Sequence, residues 1–134
     1  MIKLVSTLTI LGLSLALSAC SKKENAGSTG STGEPSTALS PSEQAKSYFK
    51  MKCVVCHGTA GAGDGPGAAA LDPKPAAFGD DKWQTSVTDE HIAKIIVEGG
   101  AAVGKSPAMP PNPDLKGKDV QVQALVKLIR GWKK

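Results

Sequence analysis

Three chemically active side chains fall within five positions: Cys53 and Cys56 are thiols separated by Val54-Val55, and the imidazole of His57 follows at once. Two thiols at this spacing can add across the two vinyl groups of one porphyrin, and the adjacent imidazole then reaches the iron from the same side. Cys-x-x-Cys-His is the attachment signature of a c-type haem. The Cys-x-x-Cys pair alone also serves dithiol redox sites and zinc sites. A structural zinc site takes four ligands, and the remaining cysteine and histidine are Cys20 and His91. A thioredoxin-like dithiol needs a βαβ context, and no strand pattern flanks the motif. The spacing favours one haem c, covalently held by Cys53 and Cys56, with His57 on the iron.

The N-terminus bears on where such a group would work. After Met1-Ile2-Lys3 comes a run of 14 mostly apolar positions, Leu4 to Leu17. As a helix it is roughly 21 Å long at about 1.5 Å per residue, short of the hydrocarbon thickness of a bilayer. It reads as a signal-peptide core. Leu17-Ser18-Ala19-Cys20 resembles the bacterial lipobox, which implies removal of residues 1–19 and acylation of Cys20. An ordinary secretory signal with an incidental Cys20 is the alternative. Lipidation accounts for the odd number of cysteines, one thiol for lipid and two for haem. Several acyl chains on one residue make a stable anchor, where a single chain binds marginally. The expected location is the periplasmic side of the outer or inner membrane, or the outer face of the cell membrane where there is no periplasm.

Residues 21–40 are mostly Ser, Thr, Gly and Ala with a few charges and Pro35. They carry no apolar periodicity and read, with Cys20, as a lipidated flexible linker spanning roughly 25 Å. Residues 41–134 then form one small domain. It holds all five aromatic residues of the chain, 13 of the 16 Lys/Arg and 10 of the 12 Asp/Glu, for a net charge of +3. A domain of this size and aromatic poverty is marginal on side chains alone, and a buried porphyrin would complete its core. The charge gives no sign of a nucleic-acid binder.

Three helices must position these groups. Ser40-Pro41-Ser42-Glu43 is a capping box with Pro at the first helical position, and Ala45, Phe49 and Cys53 follow at spacing four. A second helix opens at Thr88-Asp89-Glu90, buries Ile92, Ile95 and Ile96, and stops at Gly99-Gly100. The third begins near Asp119, carries Val122, Leu125, Leu128, Ile129 and Trp132, and has Lys133 and Lys134 at its negative end. No segment alternates as a strand. The intervening stretches, Gly58–Phe78 and Gly100–Lys118, are long for a compact domain unless they wrap a large cofactor.

With Cys53-Val54-Val55-Cys56-His57-Gly58, Gly61-Ala62-Gly63-Asp64-Gly65-Pro66, Ser106-Pro107-Ala108-Met109-Pro110-Pro111 and the amphipathic last helix, the chain resembles a small monohaem class I cytochrome c behind a lipoprotein leader. The resemblance spans residues 41–134. It implies an all-α cytochrome c fold, three main helices with long loops around one covalently attached haem. It puts the sixth ligand at Met109, which Pro107, Pro110 and Pro111 hold with little freedom left to lose. Met51 lies too close to Cys53 to cross to the other haem face. His91 is the rival, giving bis-His iron, and an open site is the third option. The resemblance also has a proline carbonyl accept from His57, with Pro66, Pro73 and Pro75 as candidates. It packs Ala45 and Phe49 against Leu128 and Trp132, and brings Trp83 either to a propionate or to the core. Lys74 and Lys105 are read as ordinary solvated lysines, with steering of an acidic partner the alternative.

His/Met ligation saturates the iron and raises its potential. The function implied is outer-sphere transfer of one electron at a time, as an electron carrier and not an enzyme. Its partners are then a redox protein donor and acceptor, with the membrane reached through Cys20 and no nucleic acid or small-molecule substrate involved. The alternatives are a haem enzyme or ligand-binding protein with open or bis-His iron, the cytochrome subunit of a larger oxidoreductase, and a non-haem lipoprotein with a Cys53–Cys56 disulfide.

Overall fold

Ser40 starts the first helix, α1 (Pro41–Tyr48), through the expected reciprocal cap: its hydroxyl oxygen accepts from the Glu43 N–H at 3.3 Å while Glu43 Oε2 accepts from the Ser40 N–H at 2.9 Å. Such caps stabilise a helix by about 1 kcal/mol. The computed structural model describes residues 38–134, which fall within the compact unit Pro35–Lys134. The expected leader, Cys20 and nearly all of the expected linker lie outside the described residues.

The helical path continues beyond α1, but not as one α-helix. Phe49–Cys53 is a π-helical turn, in which the Val54 N–H reaches back to the Phe49 carbonyl, and α2 (Val54–His57) follows. The wider turn keeps Phe49 buried and turns Met51 out, 72% exposed. π turns are rare and occur mostly as single bulges, frequently at functional sites. This one sits directly ahead of Cys53.

A short helix absent from the sequence reading, α3 (Asp81–Ser86), is capped by Asp80, whose carboxylate accepts from the Trp83 N–H at 2.8 Å. The second expected helix is α4 (Asp89–Glu98), capped by Thr88 and ended at Gly99. The third is α5 (Asp119–Arg130). It stops short of Trp132, which lies in a terminal turn, so Lys127 and Arg130 occupy the last helical turn and Lys133 and Lys134 come after it. The long connections contain short 3-10 turns at Pro66–Ala68, Ala101–Val103 and Pro113–Leu115. Among the described residues there is no β-strand, and no helix long and apolar enough to cross a membrane.

α1 and α4 both pack on α5. The core comprises Ala45, Tyr48 and Phe49 from the first helical segment, Phe78, Ile92, Ile96, Leu115, and Val122, Leu125, Val126 and Ile129 from α5. Full burial of Ile92, Leu115, Leu125 and Val126 stabilises by about 1.5–3 kcal/mol each. Leu128 and Trp132 pack against this core half-buried, as does Ala124.

A polar staple closes the junction of α3, α4 and α5. The Gln84 side chain, 5% exposed, donates to the carbonyls of Phe78 (2.7 Å) and Ile129 (3.0 Å). Its Oε1 accepts from Arg130 Nη1 at 2.8 Å, and the same guanidinium donates to the Gln84 carbonyl, the Val87 carbonyl and Asp89 Oδ1.

Candidate functional site

Cys53 ends the π turn, and Cys56 and His57 complete α2, so one continuous helical stretch carries all three groups. The end of α2 needs partners for its last carbonyls. The following loop supplies them, with the Gly63 N–H on the His57 carbonyl (2.9 Å) and the Gly65 N–H on the Cys56 carbonyl (3.1 Å). This return is possible because Gly58 adopts φ 75°, where a side chain is strained. A Cβ at Gly58 would also run into Asp64 Oδ1. The Phe78 N–H donates to the Gly61 carbonyl at 2.7 Å and closes the loop. Lys74 is part of this architecture too: its Nζ donates to the carbonyls of Ala68 (2.8 Å) and Ala69 (2.7 Å).

Both thiols are free and half-buried. Burial first, and then the neighbouring Cys56, push the Cys53 thiol up to about 11. Reactive dithiols work through a lowered pKa, so the environment of Cys53 opposes the thioredoxin-like reading. Among the described residues no group of three or more His, Cys, Asp and Glu is placed to hold a metal ion.

The His57 ring stacks on Phe78 with centroids 4.6 Å apart and planes 19° apart. Phe78 in turn meets Phe49, Trp83 and Trp132. Burial lowers the His57 pKa, and the Ala76 backbone carbonyl offsets part of that shift. The expected proline acceptor is not found: none of the carbonyls of Pro66, Pro73 and Pro75 pairs with the ring Nδ1. Burial therefore favours the neutral imidazole, the form that can bind a metal. Its Nδ1 is buried with no hydrogen-bond partner, which is costly unless another group engages the ring.

Met109 is half-buried beside the C-terminal end of α4. The Gly100 N–H donates to its carbonyl at 2.9 Å, and its own N–H donates to the Ser106 carbonyl at 3.2 Å. A Cβ on Gly100 would collide with the Ser106 carbonyl. Beyond Pro110 and Pro111, Asn112 fastens the loop by its N–H to the Val97 carbonyl (3.0 Å) and its Nδ2 to the Ile96 carbonyl (2.7 Å). His91 lies in the first turn of α4, its N–H donated to Thr88 Oγ1. Trp83 packs half-buried against the core, its ring 5.1 Å from that of Phe78. Lys105 is exposed, and its backbone N–H donates to the Gly100 carbonyl at 2.8 Å.

The cytochrome c family model matches residues 42–133, and the chain belongs to that family. A solved structure described as KustC0563 c-type cytochrome is 32% identical, with a TM-score of 0.49; the match covers 67% of this chain and 98% of that one. No curated protein matches. The all-α cytochrome c fold expected from the sequence is the fold of the described residues. Membership makes the chain a haem electron-transfer protein and implies covalently bound haem c.

The residues present fit that group. Cys53 and Cys56 have the attachment spacing on one helical stretch, the adjacent imidazole is neutral with an orphaned ring nitrogen, and an aromatic wall backs it. The sequence reading missed the polar partners: Gln84 with Arg130, and Tyr48 with Asn112. The faint signals were an amide directly after the lone large apolar residue, Trp83, of a short helix and an Asn directly after Pro110-Pro111.

Proposed function

We propose that the chain is a membrane-tethered, extracytoplasmic electron carrier. Cys53 and Cys56 would hold one haem c covalently, with His57 and Met109 as the residues that would bind its iron. When bound, this group supplies a one-electron Fe(III)/Fe(II) couple. The observation that carries the reading is His57: a half-buried imidazole whose Nδ1 is buried without a hydrogen-bond partner, next to a half-buried thiol. The stacked Phe78 ring restricts its orientation, and the loop closed by Gly63, Gly65 and Phe78 caps the helix end that carries it. The backbone bonds of Gly100 and Asn112 hold the loop of Met109, so that little rearrangement accompanies a change of charge. Saturated coordination leaves no place for a substrate, and the partners are a donor and an acceptor redox protein.

Cys20 carries the lipid anchor after removal of residues 1–19, and residues 21–40 act as the tether. The test is direct. On a denaturing gel the mature protein retains haem stain, and Cys53→Ala with Cys56→Ala loses it; a parent without stain sinks the cofactor assignment. The parent incorporates labelled palmitate and Cys20→Ser does not; equal labelling of the two, or none in the parent, sinks the anchor.

A further inference from the structure

Two neighbouring residues of Met109 cannot hold it by hydrogen bonds. Pro110 and Pro111 have fixed φ and no N–H, so Asn112 is the first residue after Met109 able to donate from its backbone. A displacement of Asn112 passes through two stiff residues to the thioether. Gly100 and Ser106 hold the Met109 backbone directly on the N-terminal side, and the fastening of Asn112 sets its placement from the C-terminal side.

That fastening has two parts. α4 takes the Asn112 N–H and Nδ2 at the carbonyls of Val97 and Ile96. The Asn112 Oδ1 instead accepts from the Tyr48 hydroxyl at 3.0 Å. The same hydroxyl lies 3.1 Å from Asp114 Oδ1, so its single proton is shared between two acceptors. Tyr48 is 6% exposed, ends α1, and precedes the π turn that leads into Cys53. Thus a buried phenol on the segment entering the haem-attachment motif reaches across 64 residues of sequence to the loop of the opposite ligand.

We propose that Tyr48 is a positioning residue for Met109: its hydroxyl, through Asn112, locks the Met109 loop to the helical segment carrying Cys53, Cys56 and His57. The proposal rests on Met109 being the axial ligand. Tyr48 acts through Asn112 and keeps the thioether from swinging away.

The experiment uses the oxidised, haem-loaded full-length protein and titrates it with imidazole, following loss of the sulfur-to-iron charge-transfer band. Tyr48→Phe keeps the buried ring and removes only the hydroxyl. It binds imidazole about five- to tenfold more tightly than the parent, the equivalent of one buried hydrogen bond. Val126→Ala, a core truncation in α5, lowers global stability and leaves imidazole affinity at the parent value. Equal affinities for parent and Tyr48→Phe overturn the proposal, as does an equal gain in Val126→Ala. If Tyr48→Phe does not accumulate, Asn112→Ala is held to the same fivefold criterion. A parent lacking the band brings down the Met109 reading and the proposal with it. A parent that shows the band, lost in Met109→Ala, with Tyr48→Phe unaltered, brings down the role of Tyr48 alone.

Discussion

Replacing Gln84 with Leu removes the amide from the one buried polar side chain of the described core and leaves its volume nearly unchanged. Three hydrogen bonds disappear: those to the carbonyls of Phe78 and Ile129, and the one accepted from Arg130 Nη1. They are not equally costly. The Ile129 carbonyl keeps the Trp132 N–H at 3.3 Å, and Arg130 Nη1 keeps the Gln84 backbone carbonyl at 2.6 Å. The Phe78 carbonyl has no second donor and is stranded, at about 1–3 kcal/mol, and the weakened Ile129 contact adds about 0.5–1.5 kcal/mol. The expected loss is about 2–4 kcal/mol, or about 10–20 °C in Tm for a domain of this size. Asp89→Ala is the comparison: its carboxylate is 57% exposed at the rim of the same network, so the ion pair with Arg130 contributes under about 1 kcal/mol. Guanidinium unfolding of the haem-loaded proteins, followed by far-ultraviolet dichroism, measures both. A Gln84→Leu midpoint within error of the parent, or a larger loss from Asp89→Ala, would refute the claim that the buried amide closes this junction.

Gly100→Ala places a methyl group against the Ser106 carbonyl, so it is expected to destabilise the domain by about 1–3 kcal/mol, as overpacking does, and thermal unfolding checks it. Glu43 sits below its ordinary carboxyl value of 4.5 because Ser40 hydrogen-bonds it from side chain and backbone. A depressed folded-state pKa contributes stability above the unfolded value that is lost as pH falls through the folded one. Glu43→Gln therefore lowers the unfolding midpoint above pH 4.5 and converges with the parent in stronger acid, which a pH series of denaturant melts would show.

How much was legible depended on how local each signal was. The Ser40–Glu43 cap, the Thr88 cap and the Gly99 stop are each written within a few residues, and α1, α4 and α5 emerged where expected. The amphipathic stripe of α5 was right at Val122, Leu125 and Ile129 but missed Val126, which is 1% exposed; a helix crossed by two others buries a wider face than one stripe. α3 was hidden because its six residues, DKWQTS, show one large apolar side chain and too short a run for periodicity. The π turn is equally silent, since it is defined by which carbonyl the Val54 N–H selects. Lys74 looked like a solvated charge; only the fold brings the Ala68 and Ala69 carbonyls to it. The attachment motif was fully legible, because Cys53, Cys56 and His57 are neighbours in sequence. The supports of Met109 were not, because Tyr48, Ile96 and Gly100 reach its loop only through tertiary structure.

The central claim, a haem iron held between His57 and Met109, is tested most directly by the absorption spectrum of the oxidised protein beside that of Met109→Ala. The account predicts a sulfur-to-iron charge-transfer band in the parent and its loss in the variant, with the covalent haem retained in both. A parent without the band, or a variant that keeps it, would contradict the claim.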